Sequence, residues 1–145
     1  MSQLLISPYF STILFFLSDF ATNDKQKIEN VVQLYFDSMH ESSPEKVREA
    51  FHPNAKITGF LKEDVLAERS VEDFAAMVGS VQPSPKEKGD EVILEIISCE
   101  IAGSTASVRV RDAYVGRVFL DTLSFLKENG EWTIYNKLFH IEHIL

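Results

Sequence analysis

From residue 24 to residue 40, apolar side chains recur three and four positions apart. Ile28, Val31, Val32, Tyr35, Phe36 and Met39 fall on one face of an amphipathic helix. Asn23 and Gln26 stand where a capping box would open it, so the spacing predicts a helix from about Asp24 to His40. Ser43 followed by Pro44 predicts the start of a second helix, because proline at the first helical position gives up an N–H that has no partner anyway. Val47, Ala50 and Phe51 form its expected buried face. His52-Pro53-Asn54 is expected to end it as a turn, since a residue before proline disfavours helical backbone. A short strand is expected over Ala55–Phe60, with Ala55, Ile57 and Gly59 on one side. Leu61–Arg69 has no clear period. Ser70, followed by Glu72 and Asp73, caps a third helix whose stripe is Phe74, Met77, Val78 and Val81. Gln82–Asp90, with two prolines and a glycine, reads as a charged surface loop.

The period then changes from helical to alternating. Strands are expected over Val92–Ile101, Thr105–Tyr114, Arg117–Lys127 and Glu131–Glu142. The turns between them are Ala102-Gly103-Ser104, Val115-Gly116 and Glu128-Asn129-Gly130; Asn-Gly is a strong hairpin signal. Helices early and antiparallel strands late predict an α+β domain with the helices on one face of the sheet. One strand places a charge on its apolar side: Phe119, Asp121, Leu123 and Phe125 alternate together. A carboxylate among such neighbours is costly unless something satisfies or uses it. The outward set would be Leu120, Thr122 and Ser124, joined from the last strand by Tyr135 and Phe139. That is more apolar than a fully solvated face.

The chain has 145 residues, the length of one domain with a substantial core, and its apolar content of 45% places it among globular proteins. Residues 1–22 stand apart. Ser2 to Leu17 carries no charge, and Ile13-Leu14-Phe15-Phe16-Leu17 is strongly apolar. The stretch is short for a membrane span and lacks the early Lys or Arg of a secretory signal. It is read as an apolar extension outside a single domain over residues 23–145. A cytoplasmic location follows, or an exported one if the extension is an atypical signal. The net charge of −8 opposes a nucleic-acid backbone or an anionic membrane as partner. The single cysteine, Cys99, excludes an internal disulfide and reads as a small buried hydrophobe. His40, His52, His140 and His143 show no metal-ligand spacing, and no nucleophile elbow, phosphate loop or dinucleotide fingerprint is present.

Several stretches together resemble one family. They are Tyr35-Phe36, Ala50-Phe51-His52-Pro53-Asn54-Ala55, Phe119-Leu120-Asp121-Thr122-Leu123-Ser124-Phe125 and the closing Gly130-Glu131-Trp132-Thr133-Ile134-Tyr135-Asn136-Lys137-Leu138-Phe139. The chain is identified by them as a member of the nuclear transport factor 2-like superfamily, in its bacterial "putative lumazine-binding" branch, over roughly Asp24 to Glu142. The resemblance implies a cone-shaped, cystatin-like α+β fold: three N-terminal helices on a strongly curved, mostly antiparallel sheet, with a pocket at the wide end. It implies a small hydrophobic or aromatic ligand, no cofactor, no metal, and a homodimer through the outer sheet face.

The superfold hosts isomerases, cyclases and dehydratases as well as binding modules. In the resemblance to the ketosteroid isomerases, Tyr35 and Asp121 stand at the positions of the two oxyanion donors. The position of the general base reads Gly59, in Ile57-Thr58-Gly59-Phe60, so proton abstraction of that type has no base there. The expected ligand-binding set is Tyr35, Met39, Phe60, Phe74, Asp112, Tyr114, Phe119, Asp121 and Leu123. Asp112 and Tyr114 either rim the pocket mouth or sit at a solvated strand end. Tyr35, Asp121 and His40 are the candidates for any catalysis. Three functions compete: a small-molecule binding domain, an enzyme using Tyr35 and Asp121 as oxyanion donors, and a dimerisation module.

Overall fold

A computed structural model of the protein describes residues 8–145, with side chains from residue 23 onward. Helix α1 runs over Pro8–His40, α2 over Pro44–Ala50, α3 over Val71–Ser80, and a one-turn α4 over Pro85–Lys88. The strands are β1 Phe51–Phe60, β2 Leu66–Ser70, β3 Leu94–Ala102, β4 Thr105–Tyr114, β5 Arg117–Glu128 and β6 Glu131–Ile144. They form one sheet in the order β2-β1-β6-β5-β4-β3. Every pair is antiparallel except β1 with β6, which is parallel. The fold is the expected α+β arrangement, a curved and mostly antiparallel sheet with helices over its concave face.

Local signals placed α2, α3 and the hairpins. Ser43 accepts from the Lys46 amide and Ser70 from the Asp73 amide, each capping a helix start. The helix α1 differs: it does not begin at Asn23 but continues from Pro8. No proline or glycine lies between Tyr9 and His40 to break it, and the weak helix formers at 22–24 are tolerated inside a long helix. Asp24, read as part of the helix start, has a different use. Its carboxylate accepts from Trp132 Nε1 at 3.0 Å and from Lys127 Nζ at 2.9 Å, pinning α1 to the β5–β6 hairpin. Those bonds, the Trp132 one foremost, hold the Asp24 carboxyl below its usual range. Among the described residues, no helix is long and apolar enough to cross a membrane.

The strand β1 starts at Phe51, not at Ala55. Phe51 is a strand residue rather than the last turn of a helix, and His52-Pro53-Asn54 lies within the strand. A register shift against β6 between Phe51 and Lys56 accommodates the proline, which has no N–H for a ladder. The indistinct stretch after it becomes a short 3₁₀ turn over Lys62–Asp64 and the edge strand β2.

The core lies between α1, α2, α3 and the concave sheet face. Ile28, Val32, Tyr35 and Met39 of α1 pack with Val47, Phe51, Ile57, Phe74, Val78, Val108, Val110, Leu123, Phe125, Trp132 and Ile134.

The strand β6 contains the decisive irregularity. Ser124 pairs with Asn136 and Phe125 with Ile134, so Tyr135 is an extra residue opposite nothing. Such a bulge reverses the alternation beyond it. Trp132 and Ile134 face the core before the bulge; Lys137 and Phe139 face it afterwards, and Leu138 turns out to solvent. Phe139 therefore does not join the outer face with Tyr135, as simple alternation had it.

Candidate functional site

A cavity of about 290 Å³ opens between α3, the end of α1 and the strand ends of β1, β4, β5 and β6. Its wall is largely apolar: Met39, Ile57, Leu61, Phe74, Met77, Val81, Val115, Phe119 and Phe139. The polar groups are Arg69, Asp112, Tyr114, Arg117 and Lys137.

Behind the wall lies a fully buried network. Tyr35 Oη is 2.7 Å from Asp121 Oδ2 and 3.2 Å from Asp112 Oδ2, and all three side chains are 0% exposed. Asp112 is thus a buried wall residue rather than a solvated strand end. The curvature of the sheet brings the end of β4 under α1. Tyr35 Oη donates toward both carboxyls, and the shorter contact, to Asp121, is the stronger. Burial first, then the negative charge of Asp121, pushes the Asp112 carboxyl well above its usual range. Burial and the two carboxylates likewise push the Tyr35 phenol well above its usual value. Asp112 Oδ1, Asp121 Oδ1 and Tyr114 Oη have no hydrogen-bond partner among the described residues. Burial pushes the Tyr114 phenol up to about 12, so it remains a neutral donor at any physiological pH.

Lys137 is the residue that pattern reading missed. It is 5% exposed, and its ammonium sits 4.8 Å from the ring centroids of Tyr35 and Phe74 and 5.8 Å from that of Phe139. It makes no ion pair or hydrogen bond among the described residues; its partners are aromatic faces. Its position follows from the Tyr135 bulge, which leaves no mark in a period-two pattern.

The expected site residues divide as follows. Met39, Phe74, Asp112, Tyr114 and Phe119 line the cavity. Tyr35, Asp121 and Leu123 are buried behind it and reach it only through Asp112 or the core. Phe60 is 59% exposed at the end of β1, away from the cavity. His40 stacks on Phe36 and borders a separate hollow beside Pro85 and Tyr114. Arg111 does not pair with Asp121. It faces outward and binds Glu142 and Glu95.

Gly59 is closed to any side chain. A Cβ there would stand 2.5 Å from both the Phe139 ring and the Phe139 carbonyl oxygen. The cavity rim also carries strain. Val115 has φ +48°, in the left-handed region that a β-branched residue avoids, followed by Gly116 at +74°. Val115→Asn should raise stability by about 1 kcal/mol, because asparagine tolerates that backbone and suits the hairpin turn. Chemical denaturation checks it, and an unchanged midpoint would mean that the turn relaxes without cost.

A family model described as "Putative lumazine-binding" matches residues 23–140. No curated protein matches the sequence significantly. Among solved structures, an NTF2-like protein of unknown function from Silicibacter pomeroyi aligns with TM-score 0.75 and 22% identity, covering 84% of this chain and 98% of that one. Another, from Methylobacillus flagellatus, aligns with TM-score 0.73 and 28% identity over 83% of this chain and 94% of that one. A domain with a cystatin-like fold from Nostoc punctiforme aligns with TM-score 0.66 and 18% identity, over 86% and 80%.

Proposed function

The chain belongs to the family described as "Putative lumazine-binding", within the nuclear transport factor 2-like fold, and from that premise we propose that it is a small-molecule binding domain whose ligand lies in the apolar cavity. The observation that carries this reading is the cavity itself. It is walled by Met39, Ile57, Phe74, Met77, Phe119 and Phe139, and three buried polar atoms beside it or behind it have no partner among the described residues. Apolar walls with a few convergent polar groups are the usual form of a small-molecule site. A flat aromatic body fits such walls, and the orphaned oxygens of Asp112 and Tyr114 would orient it.

Native mass spectrometry of the purified protein tests the proposal, together with the variant Met77→Trp, which fills the cavity from α3. A bound small molecule retained by the wild type and lost from a cooperatively folded Met77→Trp is the expected result. A ligand retained by that variant would put the site elsewhere.

A second reading rests on the Asp112–Tyr35–Asp121 network. A carboxyl pushed up by burial at the cavity wall, with a tyrosine and a second carboxyl behind it, is suited to proton transfer in an isomerase, cyclase or dehydratase. Asp112→Asn discriminates between the two: turnover lost with binding retained favours the enzyme.

The same proposal takes the domain to be residues 23–145, with residues 1–22 an appendage, in keeping with a family match that begins at residue 23. A chain starting at Asn23 should melt within a few degrees of the full one; a larger drop would place the extension in the domain. The proposal includes a homodimer through the outer sheet face, where Tyr135 and Leu138 are 43% and 49% exposed near Leu120. Light scattering at micromolar concentration checks this, and a monomer would refute it.

A further inference from the structure

We infer that the ligand of this cavity is an organic anion, a flat apolar body carrying a carboxylate, sulfonate or phosphate, received by Arg69, Arg117 and Lys137. The inference rests on the cavity being the binding site and names the charge that its contents must have.

The first argument is the distribution of ion pairs. Lys46, Arg48, Lys86, Lys88, Arg111 and Lys127 each lie within 4.0 Å of a carboxylate, whereas Lys25, Lys27, Lys56, Lys62 and Arg109, none of which lines the cavity, have no such partner among the described residues. The three cations that do line it have no carboxylate within that distance and no hydrogen-bond acceptor among the described residues. The chain holds 22 acidic residues against 14 Lys and Arg, so three positive groups gathered on one concave wall run against its overall charge. A low-dielectric cleft lined with one sign of charge focuses its field on what enters.

The second argument is Lys137. Burying an ammonium costs free energy unless it is paired or held by polar groups. Tyr35, Phe74 and Phe139 supply ring faces, which offset part of that cost and leave its N–H groups without acceptors.

The third argument concerns the carboxylates. Asp112 is the acid on the wall, and burial, then the charge of Asp121, push its carboxyl well above the usual range, which disfavours a negative charge there. Asp121 stands behind it, bonded to Tyr35. Arg69, Arg117 and Lys137 outnumber the single Asp112 carboxyl on the wall facing a ligand. The half-buried guanidiniums of Arg69 on β2 and Arg117 on β5 can donate bidentately to an anionic group, while Phe119 and Phe139 take the apolar body.

A matched pair of fluorescent probes tests the inference on the full chain. 8-Anilinonaphthalene-1-sulfonate and N-phenyl-1-naphthylamine share one ring system, and only the former carries an anion. The sulfonate should bind at least about tenfold more tightly, and its advantage should fall as salt rises. Arg117→Gln, on a half-buried side chain that no described residue pairs, and Lys137→Met should each weaken the sulfonate by about five- to tenfold. Both should leave the neutral probe within about twofold, with a cooperative melt confirming each fold. Equal binding of the two probes, or a sulfonate indifferent to both substitutions, would overturn the anion and leave the pocket standing. Binding of neither probe would overturn the pocket and the anion together.

Discussion

Gly59→Asp should cost the fold about 3 kcal/mol or more and should not yield an active isomerase. The sequence resemblance to the ketosteroid isomerases sets their base at this position, so the substitution looks like the addition of a catalytic residue. The packing forbids it. A Cβ at residue 59 would stand 2.5 Å from Cδ2 of Phe139, and at the same distance from the Phe139 backbone oxygen. A ring can rotate, but a carbonyl oxygen in the β1–β6 ladder cannot move without breaking the pairing of Gly59 with Phe139. An aspartate adds a carboxylate to the same space, where the nearest groups are an aromatic ring and another acceptor. Urea denaturation with the wild type alongside measures the loss. Gly59→Ala should show the steric part alone, about 1–3 kcal/mol. A Gly59→Asp variant as stable as wild type would mean that β6 shifts freely, and the packing account of this position would fall.

Phe139 occupies that space because of a feature the sequence does not announce. Alternation from Trp132 and Ile134 carries Asn136 and Leu138 inward and puts Tyr135, Lys137 and Phe139 outside. The bulge at Tyr135 reverses the second half of the strand. A bulge needs one unpaired residue and has no residue type of its own when that residue is not glycine, so periodicity cannot find it. The site residue it delivers, Lys137, was invisible for the same reason. By contrast, features with a local chemical cause were legible. Ser43-Pro44 and Ser70 marked helix starts because a side-chain oxygen and a missing N–H act over three residues. Asn129-Gly130 marked its hairpin because both residues take positive φ, at 51° and 80°. Tyr35 and Asp121 could be brought together on paper because helix period and strand period each pointed them at the core. Asp112 was harder. It lies on the same face as Val108 and Val110, but only the curvature of the sheet decides whether a strand end is buried or wet. The parallel pairing of β1 with β6 joins segments about eighty residues apart, and nothing in either segment encodes the other.

Tyr35→Phe should destabilise the protein by about 2–4 kcal/mol near neutral pH, and the loss should shrink as the solution is acidified. Among the described residues, Tyr35 Oη is the hydrogen-bond donor that reaches both Asp112 and Asp121, at 3.2 Å and 2.7 Å. Each carboxyl already has one oxygen without a partner among the described residues, so phenylalanine would leave both buried acids without the donor that reaches them. The Lys137 charge nearby moderates this without contacting either at ion-pair distance. Without the phenol, whose hydrogen bond lowers the Asp112 value, Asp112 holds its proton more tightly. The variant therefore gains on the wild type as pH falls and loses on it as pH rises.

Asp112→Asn supplies the opposite sign. A carboxyl whose folded value is raised contributes stability that is fully present below its free value of about 3.9 and is lost as pH rises through the folded value. Asparagine has no such dependence and keeps the shape, with an amide that donates to Asp121 and a carbonyl that accepts from Tyr35. It should therefore equal or exceed the wild type near pH 7 and fall behind it toward pH 4. Denaturation curves for the three proteins from pH 4 to pH 8 should fan apart in those two directions. A Tyr35→Phe deficit that is flat in pH would mean a packing loss alone. An Asp112→Asn variant that is strongly destabilised at pH 7 would mean that Asp112 is ionised there and paired, which would also reduce the positive excess on the wall on which anion recognition depends.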